Sequence, residues 1–255
     1  MQTDKEIVKK RFGNRLTSYH QEAMVQKQIA EKLASLFLEK HHTPINRALE
    51  IGSGTGFLTK QILLKTTINE LLLNDLSESA LLETQKVLTQ LNRSIYEFIP
   101  GDAECISFPN DIDVVFSSSC FHWFHDLETF FKKIHKILNE QGIIAFSSFG
   151  EENFNEIKKT LHIGLEYNSL QTQIDLLSPH FEIVHAEEWK ESIPFLNPKE
   201  VLKHIQQTGV NALQKGLFGK DKFQSFSETY QNLFSNSDKS VNLTYHPIII
   251  IARKK

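Results

Sequence analysis

The stretch Leu49-Glu50-Ile51-Gly52-Ser53-Gly54-Thr55-Gly56 decides the fold. It reads as the end of a buried strand, a glycine turn and the start of a helix. Ile51 closes the strand, and Phe57 to Leu64 open the helix. Three glycines at alternate positions let the backbone turn sharply and let a ligand approach the main chain with no Cβ in the way. The next apolar run ends in Leu71-Leu72-Leu73-Asn74-Asp75, which puts a carboxylate 19 residues beyond Gly56. In a nucleotide-binding α/β sheet an acid at that distance accepts hydrogen bonds from ribose hydroxyls.

The glycine spacing bears on which nucleotide. The dinucleotide fingerprint is G-x-G-x-x-G, with amides and a helix N-terminus facing a pyrophosphate. Here the pattern is E-x-G-x-G-x-G, with Glu50 inside it. A carboxylate suits a pyrophosphate poorly and suits an ammonium or sulfonium well. The pattern resembles the first motif of class I S-adenosylmethionine-dependent methyltransferases. A glycine triplet alone builds a generic turn; Glu50 and Asp75 add the specificity. The resemblance implies an α/β, Rossmann-like sheet, mostly parallel with an antiparallel last strand, and S-adenosylmethionine as cofactor.

The bulk properties allow this. The chain has 255 residues, 40% hydrophobic and 23% charged, enough for one sizeable domain with an insertion. No apolar run is long enough to span a bilayer, and Ile248 to Ala252 has only strand length. The start, Met1-Gln2-Thr3-Asp4-Lys5-Glu6, has no apolar signal region, so a cytoplasmic location is expected. Cys105 and Cys120 lack C-x-x-C spacing and are expected to be buried free thiols. A net charge of −3 does not suggest a nucleic-acid binder. Two stretches run the other way. Residues 1–15 hold Lys5, Lys9, Lys10, Arg11 and Arg15, and residues 199–222 hold Lys199, Lys203, Lys215, Lys220 and Lys222. Each is either a solvated helix face or a docking surface for an acidic partner.

Along the chain, Val25 to Leu38 has helical periodicity, with Ile29, Leu33, Leu36 and Phe37 on one stripe. Strands are expected at 47–51, 70–75, 95–100, 113–118 and 142–148, alternating with helices at 57–65, 79–91 and 127–138, with Ser77 an N-cap. That alternation implies a parallel sheet with right-handed crossovers. After Phe149 the pattern changes to a helix at 153–165 and strands at 181–192 and 244–252. Between those strands, Val201, Leu202, Ile205, Val210, Leu213, Leu217 and Phe218 are too many apolar residues for a loop. The expected organisation is an N-terminal helical cap at 1–44, a cofactor-binding core at 45–197 and 240–255, and a helical lid at 198–239.

Roles follow from placement. Glu50 faces the positive end of the cofactor. Gly52, Gly54 and Gly56 let its amino-acid part lie on the backbone, with Ser53 and Thr55 in the turn. Asp75 takes the ribose, and Leu76 packs on the adenine. In Gly101-Asp102-Ala103-Glu104, Asp102 accepts from the adenine amine, with Ala103 near the ring. The run Ser117 to Trp123 lines the reaction site, where His122 orients a substrate oxygen, acts as base, or only shapes the wall. His122 and His125 lie three apart, but nothing completes a metal site, so none is expected.

Further segments carry a narrower resemblance. These are Arg11-Phe12-Gly13-Asn14-Arg15-Leu16 with Ser18-Tyr19-His20 and Val25-Gln26, Ser117 to Trp123, Gln206 to Ala212, and Leu243-Thr244-Tyr245-His246. Together they resemble the malonyl-acyl carrier protein O-methyltransferases of biotin synthesis over almost the whole chain. Ser118 replaces the family's common Asn, His122 replaces Gln, and Asn14 and Arg15 replace small residues. The resemblance implies methylation of the free carboxyl of a malonyl thioester on acyl carrier protein. A carboxyl with a reference pKa near ~4 is already an anion, so no base is required. Desolvation and alignment suffice. Candidate orienting groups are Tyr19, His20, His122, Tyr245 and His246. An acidic carrier protein matches the basic stretches. The alternatives are another small carboxylate or a quinone as acceptor, and a cofactor-binding module without catalysis.

Overall fold

The computed structural model describes residues 5, 6, 9, 16–208 and 219–255. Seven strands form the main sheet: β1 (Ile45–Ile51), β2 (Ile68–Asp75), β3 (Tyr96–Pro100), β4 (Ile112–Ser118), β5 (Leu138–Phe149), β6 (Phe181–Glu188) and β9 (Pro247–Lys254). Their order is β3-β2-β1-β4-β5-β9-β6, parallel except for β9, which runs antiparallel to both neighbours. Helices α1 (Leu16–Glu22), α2 (Met24–Lys40), α3 (Phe57–Lys65), α4 (Glu78–Gln90), α5 (Leu127–Ile137) and α7 (Leu170–Leu177) flank it.

Strand residues alternate between the two faces. Leu49, Ile51, Leu72, Val115, Ile144 and Phe146 pack with Phe130, Phe131 and Ile134 of α5. Ala48, Leu71, Leu73, Val114, Phe116 and Ala145 pack with Leu33 and Phe37 of α2 and Leu58 and Ile62 of α3. Both faces are covered, which is why these strands read as unbroken apolar runs.

A third cluster lies at the end of β5, whose Phe149 joins it. It joins Val25 and Ile29 of α2, Ile157 of α6 (Asn155–Leu161), Val201, Leu202 and Ile205 of α8 (Pro198–Gln207) and Phe226 and Tyr230 of α9 (Lys220–Phe234). Its floor is a two-stranded sheet of β7 (Glu191–Phe195) and β8 (Val241–Tyr245). We call this body the cap.

The cap explains where the structure departs from the sequence pattern. The expected strand 181–192 breaks after Glu188, because Trp189 donates to the Pro247 carbonyl and the chain then leaves for β8. The expected strand 244–252 breaks at His246, whose N–H donates to Asn153 Oδ1 and whose carbonyl accepts from Gly150. The helix expected at 153–165 stops at Leu161, with His162 left-handed at φ 51°. Helix α7, capped by the Ser169 side chain, adds an element beyond the expected ones. Ser77 stands at the N-cap position of α4 but makes no side-chain capping bond. Positions Val210, Leu213, Leu217 and Phe218, and Lys215 with them, lie outside the described residues. The cysteines are free, yet Cys105 is exposed and Cys120 half-buried, so neither is a core thiol. Among the described residues no helix is long and apolar enough to cross a membrane.

Candidate active site

A cavity opens at the C-terminal ends of β1, β2 and β4, where parallel strands deliver loops to one edge. The glycine turn forms its floor. Gly52 and Ser53 both donate to the Asn74 carbonyl, at 2.9 and 3.0 Å, which ties the turn to β2. Gly52 has φ 69°, and a Cβ there would lie 2.4 Å from Cys120 Sγ. No other residue type fits that position without displacement.

Two buried carboxylates stand beside the turn. Asp75 accepts from Gly54 N–H at 2.9 Å and from Ser77 N–H at 2.8 Å. Burial pushes its pKa up to about 6, against those amides. Glu50 is 3% exposed and accepts from the Thr59 hydroxyl at 2.6 Å. Burial pushes it up to about 8. An acid so buried, with a hydroxyl as its hydrogen-bond partner, suits a cationic ligand. The Thr55 hydroxyl, buried without a partner, also lines the cavity.

Leu76, Asp102 and Ala103 line the same end. Asp102 is already engaged: Lys5 Nζ lies 2.7 Å from both its oxygens and also bonds Glu104. Burial pushes Asp102 up, but the Lys5 ammonium outweighs it and leaves the carboxyl below its ordinary value. Lys5 is therefore not the free surface cation that its basic stretch suggested.

Two expected residues stand behind the cavity wall. Gly56, left-handed at φ 77°, begins α3 and packs against Val87, where a Cβ would meet Cγ2 at 3.1 Å. Ser117 is fully buried, and its hydroxyl donates to the Ile51 carbonyl, pinning β4 to β1. Alternation turns Ser117 inward, and Ser118 and Ser119 reach the cavity instead.

The cap-side wall holds Tyr19, Gln26, Ser119, His122, Phe149 and Thr208. Tyr19 stacks on Phe57 at 5.7 Å. The His122 ring packs among Trp123, Phe149 and Tyr167, and its Nδ1 is buried without a partner. Burial pushes its pKa down to about 3, so the ring is neutral and a weak base. Three expected orienting groups are elsewhere. Tyr245 is fully buried in the cap, with its hydroxyl 2.7 Å from His204 Nε2. His246 sits between the Glu152 N–H, at 3.2 Å, and the Glu188 carboxylate, at 3.1 Å. His20 is exposed, its ring against Phe57. The break in the strand at residue 246 turns both Tyr245 and His246 away from the cavity. The sequence places Ser119 in the run that lines the reaction site, but Gln26 and Thr208 enter it only as parts of family-like segments, with no role of their own. A signal existed for Gln26, an amide on the apolar stripe of α2.

The sheet order, the antiparallel β9 and the acids at the glycine turn define a class I methyltransferase. Residues 49–146 match the family model described as a methyltransferase domain. A malonyl-[acyl-carrier protein] O-methyltransferase of Bacteroides thetaiotaomicron is 40% identical over 99% of this chain and 99% of its own. One of Chlorobium luteolum is 35% identical over 99% and 97%. One of Bacteroides fragilis is 40% identical over 99% of this chain, which spans 51% of that longer protein. Among solved structures, the YcgJ protein of Bacillus subtilis has a TM-score of 0.65 at 14% identity, covering 88% of this chain and 98% of that one. The N-methyltransferase NodS of Bradyrhizobium japonicum, in complex with S-adenosyl-L-homocysteine, has 0.62 at 12%, covering 97% and 98%. The chain belongs to the malonyl-[acyl-carrier protein] O-methyltransferase family. It is an enzyme whose methyl donor is S-adenosylmethionine.

Proposed function

We propose that this enzyme methylates the free carboxylate of a malonyl thioester carried on acyl carrier protein, an early step of biotin synthesis. The observation that carries the reading is the neutral cap-side wall. His122, pushed down to about 3, is a poor general base, which favours an acceptor that needs no deprotonation at the site. A carboxylate meets that condition, whereas a phenol or ring carbon does not. The relatives' names supply the particular acid.

When bound, S-adenosylmethionine supplies an electrophilic methyl on a sulfonium, and transfer to a carboxylate cancels one charge of each sign. Glu50 holds the cationic end, and the Gly52–Gly54 backbone with Ser53 cradles the amino-acid part. Gly56 and Ser117 support that turn from behind. Asp75 takes the ribose hydroxyls. Leu76 and Ala103 flank the adenine, whose amine reaches Asp102. Tyr19 and His122 shape the acceptor side. The cap acts as a lid that excludes water and strengthens the attraction between opposite charges. Among the described residues the cap draws α2 from the expected N-terminal cap at 1–44 and α8 and α9 from the expected lid at 198–239, together with α6 and the β7–β8 sheet from the expected core. The carrier protein docks near Lys199, Lys203 and Lys222, which are exposed on α8 and α9. The same reading expects the enzyme in the cytoplasm, alongside that partner.

The test is incubation with labelled S-adenosylmethionine and malonyl-acyl carrier protein. A base-labile methyl ester on the carrier is expected. Label that never reaches the carrier would refute the reading.

A further inference from the structure

We propose that the side-chain amide of Gln26 holds the acceptor's carboxylate, and that Tyr245 and His204 position that amide. The inference rests on the carboxyl-methylation reading above.

Gln26 is 3% exposed and lies near the start of α2 beside Val25, on the face that carries Ile29. An amide on a buried apolar face is costly unless its polar atoms are paired. Yet Gln26 lines the cavity, and its Oε1 has no partner. Its neighbour in the cap is the Tyr245 hydroxyl, on which the Gln26 amide and the Thr208 hydroxyl both act, and Tyr245 in turn meets His204 Nε2 at 2.7 Å. A chain of groups thus runs from α8 through β8 to α2 and ends at the cavity.

The chain has two self-consistent proton arrangements. In the first, the amide NH2 donates to Tyr245, Tyr245 donates to His204, and the amide oxygen faces the cavity. A half-turn of the amide gives the second. His204 then donates to Tyr245, Tyr245 donates to Gln26 Oε1, and the NH2 faces the cavity. A neutral histidine serves either arrangement through its tautomer, and burial lowers the proton affinity of His204. Only the second arrangement satisfies Oε1 and offers donors to an anion, so a bound carboxylate selects it.

Other groups converge on the same wall. Ser119 Oγ and His122 Nδ1 are buried without partners. Ser119 is left-handed at φ 53°, an uncommon conformation for a residue with a Cβ, and its N–H is fixed by the Ser147 carbonyl. Neutral donors orient a carboxylate without the strong charge pairing that would quench its nucleophilicity.

Steady-state kinetics with malonyl-acyl carrier protein, and calorimetry with S-adenosylhomocysteine, test the assignment. The Gln26→Leu variant is expected to lose at least about tenfold in kcat/KM, the scale of a hydrogen bond to a charged group. Its affinity for S-adenosylhomocysteine should stay within about twofold of wild type. The isosteric Gln26→Glu variant should lose more at pH 8 and recover as pH falls, because a protonated carboxyl can donate again. A purely structural role would carry the same pH dependence into S-adenosylhomocysteine affinity, which should here match wild type at each pH. Tyr245→Phe should lower kcat/KM alone, yet add nothing to Gln26→Leu, as expected for a residue acting through another. A Gln26→Leu enzyme with unchanged kcat/KM, or a Gln26→Glu loss that ignores pH, overturns the assignment. Additive losses overturn the role of Tyr245. Wild type that methylates a different carboxylic acid refutes the malonyl substrate alone, and the same variants on that acid decide Gln26. Wild type that methylates no carboxylate refutes both.

Discussion

The donor end of the cavity is made from two pieces of one strand–helix–strand unit, Glu50 to Leu58 and Asn74 to Ser77, with Gly101 to Ala103 beside them. The cap-side wall is drawn from α1, α2, the exit of β4, the end of β5 and Thr208 after α8. The first carries buried acids satisfied by backbone amides and a hydroxyl. The second carries neutral groups, several of them unpartnered. The contrast is chemical as well as topological. Charge stands where a cationic donor must be held, and neutral polarity stands where a nucleophile must stay reactive.

The comparison breaks first at the glycine turn. Gly52→Ala places a Cβ in the left-handed region and against Cys120. That costs about 1–2 kcal/mol for the backbone and about 1–3 kcal/mol for the overlap. Chemical denaturation should show the loss, with donor binding abolished; native-like stability and affinity would mean that the turn yields easily. Next is Asp75→Ala, which leaves the Gly54 and Ser77 amides without their acceptor. Donor affinity should fall by about 1–3 kcal/mol in calorimetry, whereas unchanged affinity would remove Asp75 from the site.

Glu50 sharpens the comparison through pH. Its carboxyl, raised by burial to about 8 in the protein alone, carries a proton at neutral pH. A raised carboxyl stabilises the fold at low pH, and that contribution is lost as pH rises through about 8. A cationic ligand favours the ionised form, so binding releases a proton below about 8. Donor affinity should therefore climb between pH 6 and 8 and level off above, with buffer-dependent binding heats. A flat profile, or equal heats in buffers of different ionisation enthalpy, would mean that Glu50 is already ionised.

The cap offers smaller effects. Amides of α8 and α9 should exchange more slowly when S-adenosylhomocysteine is bound, and equal protection in both states would rule out a mobile lid. Smallest of all, reversing Lys199, Lys203 and Lys222 should slow association with the carrier protein at low salt and leave donor affinity intact. No change at any salt would make those lysines solvated faces.

The same contrast explains what the sequence could disclose. Strand, turn, helix and acid follow one another at the donor end, so local periodicity and spacing reveal Glu50, Gly52 and Asp75. Ser117, at the end of β4, is turned away from the cavity by the one-residue alternation of a strand, and Gly56, at the start of α3, packs against Val87 instead; spacing alone reveals neither facing. Gln26 and Thr208 meet only through tertiary packing, which no local pattern encodes. The resemblance of Tyr245-His246 to a family signature located a structural element, and its side chains pack into the cap and its base.

One further consequence lies in β9. It fills the place between β5 and β6, while β8, one residue before it, completes the floor of the cap. A nascent chain must be made almost to residue 254 before β6 gains a neighbour in the sheet. Pairing of β6 and completion of the cap's floor thus wait for residues 241–254, and a product stopped before residue 241 lacks both β8 and the strand that joins β6 to the sheet.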